Sequence, residues 1–333
     1  MPTAEQWRAA RARMTMYSAL RSYFGALGYL EVETPTLVAT PGLEQHIDPF
    51  EAPFIPQTGV GKRRSLWLHT SPEYAMKRLL ADPGCPPLFQ ICKTYRNGEI
   101  SGTHNPEFTM LEFYRPHADY RAIMADLEGA LAAVEGAVAP ERGLFTRTPF
   151  ERLSVAEAVR RHTGIALFEH PDGDSLRRAA EGIGVHVGAS SQSFDDVFFH
   201  VFLERVERQL GRGTPTFLHE YPASMASLAR LKPGDPRVAE RVELYAEGIE
   251  LANGFSELID AAEQRKRLIE EQDLRRALGR PVFELDERFL AALPLMPPSG
   301  GIAVGLDRVL MLLLGARAIE EVLLFPAREF VGD

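Results

Sequence analysis

Apolar residues Trp7, Ala10, Met14, Tyr17, Phe24 and Leu27 recur at the spacing of one helix face, which predicts a helix from Thr3 to Leu27. Thr3 and Gln6 stand at capping-box spacing at its start, and Gly28 follows its end. The pattern then alternates over Leu30-Glu31-Val32-Glu33, a short strand closed by Thr34-Pro35, because proline has no N–H to give a ladder. Residues 41–64 carry prolines 41, 49, 53 and 56 and glycines 42, 59 and 61, and read as loop. Leu66-Trp67-Leu68 is a strand, and Ser71-Pro72-Glu73 opens a helix with proline in its first turn.

Further along, 88–96 and 108–114 read as two strands joined by a loop, and 120–136 as a helix. The stretch 145–215 is mostly helical, with a second capping box at Ser154 and Glu157 and an amphipathic run over 193–209; it reads as an insertion. Strand patterns return at 216–221 and 241–258, a helix at 260–278, and a strand–glycine–helix unit at 301–314. Strands distant in sequence with helices hung between them predict an α+β fold. One domain, 1–333, would hold an antiparallel sheet flanked by helices.

Composition narrows the function. The 333 residues are 45% hydrophobic and 25% charged, enough to bury a large core. The net charge of −9 argues against a general nucleic-acid coat. Cys85 and Cys92 cannot build a disulfide framework. With no 18-residue apolar run and no signal-peptide pattern at the N-terminus, a cytoplasmic enzyme without membrane contact is expected.

Three segments carry candidate chemistry. On the strands 88–96 and 108–114, Gln90, Cys92, Thr94 and Arg96 share one face, as do Met110, Glu112 and Tyr114. This polar face either meets water or forms a ligand platform. Residues 300–314 run from a small-residue strand through Gly305 into a helix. Arg308 in its first turn opposes the helix dipole unless an anion is near, whether a phosphate or a side chain such as Asp307. Residues 243–257 hold Glu243, Glu247, Glu250 and Glu257; such crowding calls for Mg2+ or a substrate ammonium, or else for an exposed edge. Familiar signals are missing. The run from Gly59 to Arg64 lacks P-loop spacing, Cys85 and Cys92 make no zinc pattern, and no Rossmann fingerprint or HExxH occurs. His69 and His104 read as structural, and Lys62-Arg63-Arg64 as a solvated loop or a patch that steers an acidic partner.

In this order the three segments resemble the signature motifs of class II aminoacyl-tRNA synthetases. The helix, strand and Pro35 look like motif 1, the strand pair around Arg96 like motif 2, and Gly305-Leu-Asp-Arg308 with its helix like motif 3. Thr70-Ser-Pro-Glu73, His104-Asn-Pro-Glu107-Phe-Thr-Met-Leu-Glu112 and Gly248-Ile-Glu-Leu-Ala-Asn-Gly-Phe-Ser-Glu-Leu258 are similar to lysyl-tRNA synthetases. Those enzymes carry an N-terminal OB-fold that binds the anticodon, for which this sequence leaves no room before motif 1. A free-standing catalytic domain of this kind resembles the elongation factor P–(R)-β-lysine ligase family.

The resemblance implies ATP-dependent adenylation of (R)-β-lysine and its transfer to a lysine ε-amine of elongation factor P, in a homodimer built on motif 1; tRNA is not expected as acceptor. Arg96 would hold the α-phosphate and Arg308 the γ-phosphate. Asn97, Gly98 and Asn105 would contact ATP, with Leu244 and Gly305 doing so through backbone. Glu243 and Glu250 would bind Mg2+ or the substrate amine. Ser71, Pro72, Glu73 and Tyr114 would line the amino-acid pocket, and Asn253 and Glu257 would hold the amino acid's charged ends. Two departures stand out. The motif 2 Arg-Asn-Glu is here Arg96-Asn97-Gly98-Glu99, so Glu99 or a backbone carbonyl takes the place of the usual carboxylate. Ala303 stands where lysyl-tRNA synthetases have glycine; its methyl narrows the pocket and biases selection against α-lysine by about 1–3 kcal/mol. Two other readings fit the residues: a paralogue making lysyl-adenylate for another acceptor, and a non-catalytic sensor of ATP or amino acid. Retention of both arginines disfavours the sensor.

Overall fold

The structure, a computed structural model, describes residues 1–332 apart from 45, 58–60 and 189–192; Gly59 of the glycine-rich run lies outside the described residues. In chain order the strands are β1 (Leu30–Glu31), β2 (Leu37–Val38), β3 (Glu51–Phe54), β4 (Arg64–Leu68), β5 (Leu88–Tyr95), β6 (Glu107–Pro116), β7 (Glu151–Ser154), β8 (Thr216–Pro222), β9 (Leu231–Lys232), β10 (Asp235–Ala246), β11 (Ile249–Ser256) and β12 (Ser299–Gly305). The helices are α1 (Ala4–Ala26), α2 (Glu73–Leu80), α3 (Tyr120–Val138), α4 (Val155–Thr163), α5 (Gly173–Gly182), α6 (Phe194–Val201), α7 (Ala261–Ala277), α8 (Glu287–Ala292), α9 (Leu306–Leu314) and α10 (Arg328–Val331).

The central sheet runs β1-β5-β6-β12-β11-β10-β8-β7, with β9 paired to β10. Its middle is antiparallel; β1 joins β5 and β7 joins β8 in parallel at the two edges. This is the α+β arrangement that the dispersed strand patterns predict. One face is apolar. Phe89, Leu111, Phe113, Ile302 and Val304 pack there under α1, α3 and α9 in one continuous core. Phe24 of α1 stacks on Phe89 with ring centroids 5.1 Å apart, anchoring the helix at the sheet centre.

The opposite face carries the polar residues, and register aligns them. Gln90 pairs with Glu112, Glu112 with Ala303, Ala303 with Asn253, and Asn253 with Glu243. Opposed residues of an antiparallel pair point to the same side, so one rung crossing five strands brings together side chains from four distant segments. Gln90 and Glu112 are both buried, which corrects the water-facing alternative for the 88–114 hairpin. Of the residues on this rung, Glu112, Ala303, Asn253 and Glu243 line a cavity.

Several expectations change in detail. The 241–258 segment is two strands of a tight hairpin, β10 and β11, because Glu247 and Gly248 both take positive φ (53° and 75°). Within the supposed loop 41–64, β3 forms despite Pro53, which sits on the outer strand of a small β2-β4-β3 sheet where its missing N–H costs no ladder bond. Alternation over 30–33 yields only β1, since one edge of the sheet meets two residues there. The helical stretch after residue 145 holds α4, α5 and α6, but it also lends β7 to the sheet; it buries its own core around Val159, Leu176 and Phe198. α1 starts with the expected closed capping box, Thr3 Oγ1 accepting from Gln6 N at 3.2 Å and Gln6 Oε1 accepting from Thr3 N at 2.8 Å. Its predicted stripe divides: Phe24 is in the core, whereas Trp7 and Met14 are 51% and 70% exposed.

Candidate active site

A cavity of about 510 Å³ opens on the polar face of the sheet. Arg96, Arg308, Gly305, Asn105, Glu243, Glu250, Asn253, Ala303, Ser71, Glu73 and Tyr114 all line it, so eleven positions drawn from far-apart segments converge. Two arginines stand apart from the main group of carboxylates, and the cavity is best described as two halves.

The first half is cationic. Arg96 follows β5 directly, and its guanidinium lies over the Phe108 ring at 5.1 Å, which fixes the side chain by cation–π contact. Its Nε is buried with no hydrogen-bond partner, and the nearest carboxylate, Glu99, is 4.0 Å from Nη1. A buried N–H without a partner is costly, and a phosphate oxygen would satisfy it. Gly98 turns the chain at φ +81°, and Glu99 beyond it reaches the cavity wall. Asn97 and Gly98 themselves do not line the cavity; Asn97 N donates to the Asp48 carbonyl at 2.7 Å. Both residues belong to the turn that follows Arg96.

Arg308 sits in the first turn of α9, whose N-cap is Gly305. It donates to the carbonyls of Thr103 (3.2 Å) and Glu250 (2.8 Å), and its Nη2 lies 2.6 Å from His104 Nε2. All these acceptors are neutral when His104 is unprotonated. Burial, and then the Arg308 charge, hold His104 below the usual imidazole range, so Nε2 is free to accept. His104 Nδ1 meets Ser101 Oγ at 2.7 Å, completing a chain that aims Arg308 into the cavity. Sequence reading gave His104 a structural part only; nothing about a lone histidine shows that it stands against an arginine 204 positions later. Asn105 lines the cavity, but both ends of its amide are engaged, Nδ2 donating to Glu107 O (2.6 Å) and Oδ1 accepting from Ala327 N (2.9 Å).

The second half is anionic. Glu112 accepts from Ser71 Oγ (2.7 Å) and from the Tyr114 hydroxyl (2.6 Å), and burial followed by the Glu73 charge raises its pKa. Lys77 lies beneath, fully buried, between Glu73 (2.6 Å) and Glu257 (2.5 Å). Glu257 does not line the cavity as expected of an amino-acid contact. It sits behind Gly301, and a Cβ at that position would come within 2.6 Å of Glu257 Oε1 while colliding with Tyr114. Position 301 therefore admits only glycine. Pro72, N-cap of α2, lines a neighbouring cavity instead, and Leu244 is a core residue away from the wall.

Glu243 and Glu250 face the cavity from adjacent strands. Glu243 is held by Arg241 (2.6 Å) and by the hydroxyls of Tyr221 (2.5 Å) and Tyr245 (2.6 Å). Glu250 is raised by burial first and then by the Glu243 charge, with Arg308, Arg241 and Arg96 acting the other way. A raised carboxyl beside a second carboxylate is the setting in which a cation bound between them gains most. Among the described residues no group of three or more His, Cys, Asp or Glu side chains is arranged to hold a metal. Two carboxylates do suit Mg2+, which commonly takes one or two carboxylates together with substrate phosphate oxygens. The other acids separate: Glu247 is on the outer turn, paired with Arg212 at 3.5 Å. Lys62, Arg63 and Arg64 are exposed.

A mostly antiparallel sheet whose central strands line one cavity, with the arginines of two motif segments in its wall, defines a class of protein, and comparison with known families agrees. The family model "tRNA synthetases class II (D, K and N)" matches residues 3–329, and the chain belongs to that family. Within it, the chain is 41% identical over 315 residues to a protein of Salmonella arizonae named elongation factor P–(R)-β-lysine ligase, covering 94% of this chain and 93% of that one. Proteins of the same name from Salmonella paratyphi B and Salmonella schwarzengrund are each 40% identical over the same shares. No helix among the described residues is long and apolar enough to cross a membrane.

Proposed function

We propose that this chain is an AMP-forming ligase that activates (R)-β-lysine with ATP and transfers it to a lysine ε-amine of elongation factor P. The observation that carries the reading is the divided cavity: arginines 96 and 308 at one end, a buried carboxylate group at the other, and Ala303 between them on the shared rung. A triphosphate needs the first end and a diamino acid the second. Arg96 would bind the α-phosphate, where charge grows as the substrate carboxylate attacks, and Arg308 the γ-phosphate. Glu73, Glu112 and Tyr114 would hold the amino groups, with Glu257 acting from behind Gly301. Asn253 would orient the carboxylate, and Glu243 and Glu250 would hold Mg2+, which neutralises phosphate charge when bound. No side chain acts as nucleophile; the rate comes from positioning and preorganised charge. We take residues 1–333 as one catalytic domain with its helical segment as an insertion.

Intact-mass measurement of elongation factor P after incubation with ATP and each lysine isomer tests the reading. A mass gain with (R)-β-lysine supports it; no gain with either isomer, or efficient charging of lysine tRNA, overturns it. Ala303→Gly removes the methyl from the rung and is expected to raise the relative use of α-lysine by about 5–150-fold, the equivalent of 1–3 kcal/mol. Pyrophosphate exchange with the two isomers reads that ratio directly, and an unchanged ratio removes Ala303 from the selection.

We also propose a homodimer in which α1 lies at the interface. Trp7 and Met14 project from the solvent side of the helix, and Leu30 is exposed just beyond it. Trp7 and Met14, two turns apart on one side of the helix, mark an interaction face. Light scattering at micromolar concentration should give twice the monomer mass, and Trp7→Asp with Met14→Asp should halve it. A monomeric mass for the unaltered chain contradicts the proposal.

A further inference from the structure

A second cavity of about 420 Å³ adjoins the first, and Glu44, Ser71, Glu73 and Leu228 line both. Leu37, Val38, Ala39, Leu43 and Leu285 give it an apolar side, while Arg78, Asp286, Glu287 and Arg288 also line it. Carboxylates stand at the inner end, where the two cavities meet. This is the shape and polarity that suit a primary ammonium on a chain of methylenes: an apolar passage for the stem and negative charge at the end for the head.

Glu44 has no part in the adenylation chemistry outlined above. Its carbonyl accepts from Arg275 Nη1 at 2.6 Å, which fixes the backbone, and no hydrogen bond to its carboxylate is formed among the described residues. The charged groups facing it are Arg96, Glu73, Arg241 and Glu99, with Tyr74 of α2 and Glu271 of α7 also felt across the packing. Glu44 thus stands within the electrostatic reach of the α-phosphate arginine and beside the passage.

We propose that the second cavity admits the acceptor's lysine side chain and that Glu44 is the general base for its ε-ammonium. The assignment rests on the ligase function proposed above. An ammonium cannot attack a carbonyl. Glu44 takes one proton from it; the freed amine attacks the carbonyl carbon of the aminoacyl-adenylate; a C–N bond forms as the C–O bond to AMP breaks. The second nitrogen proton leaves to the AMP phosphate or to water. Burial raises the Glu44 carboxyl above the ordinary carboxylate range, against the pull of Arg96, which makes it a stronger base than an exposed glutamate.

The test separates the two half-reactions. In Glu44→Gln, transfer of (R)-β-lysine from preformed adenylate to elongation factor P is expected to fall about 10²-fold or more, the usual worth of a general base. ATP–pyrophosphate exchange should fall by no more than a few-fold. Transfer to hydroxylamine, which is already unprotonated at neutral pH, should be preserved. Glu44→Asp should restore part of the transfer, and raising the pH should rescue Glu44→Gln more than the unaltered enzyme. Equal losses in exchange and transfer, or wild-type transfer to elongation factor P, would overturn the base. Ala39→Trp tests the passage separately: it should block elongation factor P but not hydroxylamine, and unhindered modification of the protein acceptor would overturn the passage. If the unaltered chain shows no (R)-β-lysine-dependent exchange, the ligase reading fails, and the assignment of Glu44 fails with it.

Discussion

Arg308→Ala is expected to fold normally and to lose adenylation by about 10²–10³-fold, the usual cost of removing one preorganised charge contact. The argument begins with position. A cation in the first turn of a helix opposes the positive end of the macrodipole, so evolution of stability alone would favour an acid there, as Asp307 illustrates. That neighbour is already used: its carboxylate pairs with Arg13 at 2.5 Å and accepts from Thr109 N at 2.6 Å. Arg308 is left with two carbonyls and the neutral His104 as acceptors, an arrangement that orients the guanidinium without cancelling its charge. Its removal takes away little packing, and thermal unfolding should move only slightly. Pyrophosphate exchange at near wild-type rate in the folded variant would remove Arg308 from the nucleotide site.

Much of this site was legible because the needed residues lie in short local patterns. Gly305 before a helix, the alternation around Arg96 and the carboxylate-rich segment 243–257 each announce themselves within fifteen residues. What local pattern does not carry is register. Nothing in the chain between 90 and 303 says that Gln90, Glu112, Ala303 and Asn253 share one rung; that follows from pairing strands β5, β6, β12 and β11 in a non-sequential order. The same gap hid Lys77, whose partner Glu257 lies 180 positions away in the chain, and His104, whose partner is on α9. Local pattern also does not show which motif residues hold the backbone around the site. Asn97 and Gly98 make the turn that presents Arg96, and Asn105 clamps the loop to the chain near Ala327. The segment 241–258 reads as strand throughout because the turn that divides it, Glu247-Gly248, is only two residues long.

Lys77→Met should destabilise the protein by about 3–5 kcal/mol at neutral pH, the cost of stripping one partner from a buried ion pair. The ammonium is 1% exposed and lies between Glu73 and Glu257, with the Phe255 and Phe289 rings each 5.9 Å away. Methionine fills the same space, so packing is nearly conserved and the loss is electrostatic. Glu257 is already raised by burial, and Lys77 is the main influence holding it down. Without that cation its folded pKa rises further above the unfolded value. A carboxyl shifted upward binds its proton more tightly in the folded state, so stability falls as pH climbs from the ordinary carboxylate range toward the raised value. The gap between variant and wild type should therefore widen with pH, being small in mild acid and full above neutrality. Urea unfolding at pH 5 and pH 8 reads this directly, and a gap independent of pH would mean that the loss is steric. The double variant Lys77→Met, Glu257→Gln removes both charges and should recover part of the stability, because a buried amide has a far smaller desolvation cost than an unpaired carboxylate.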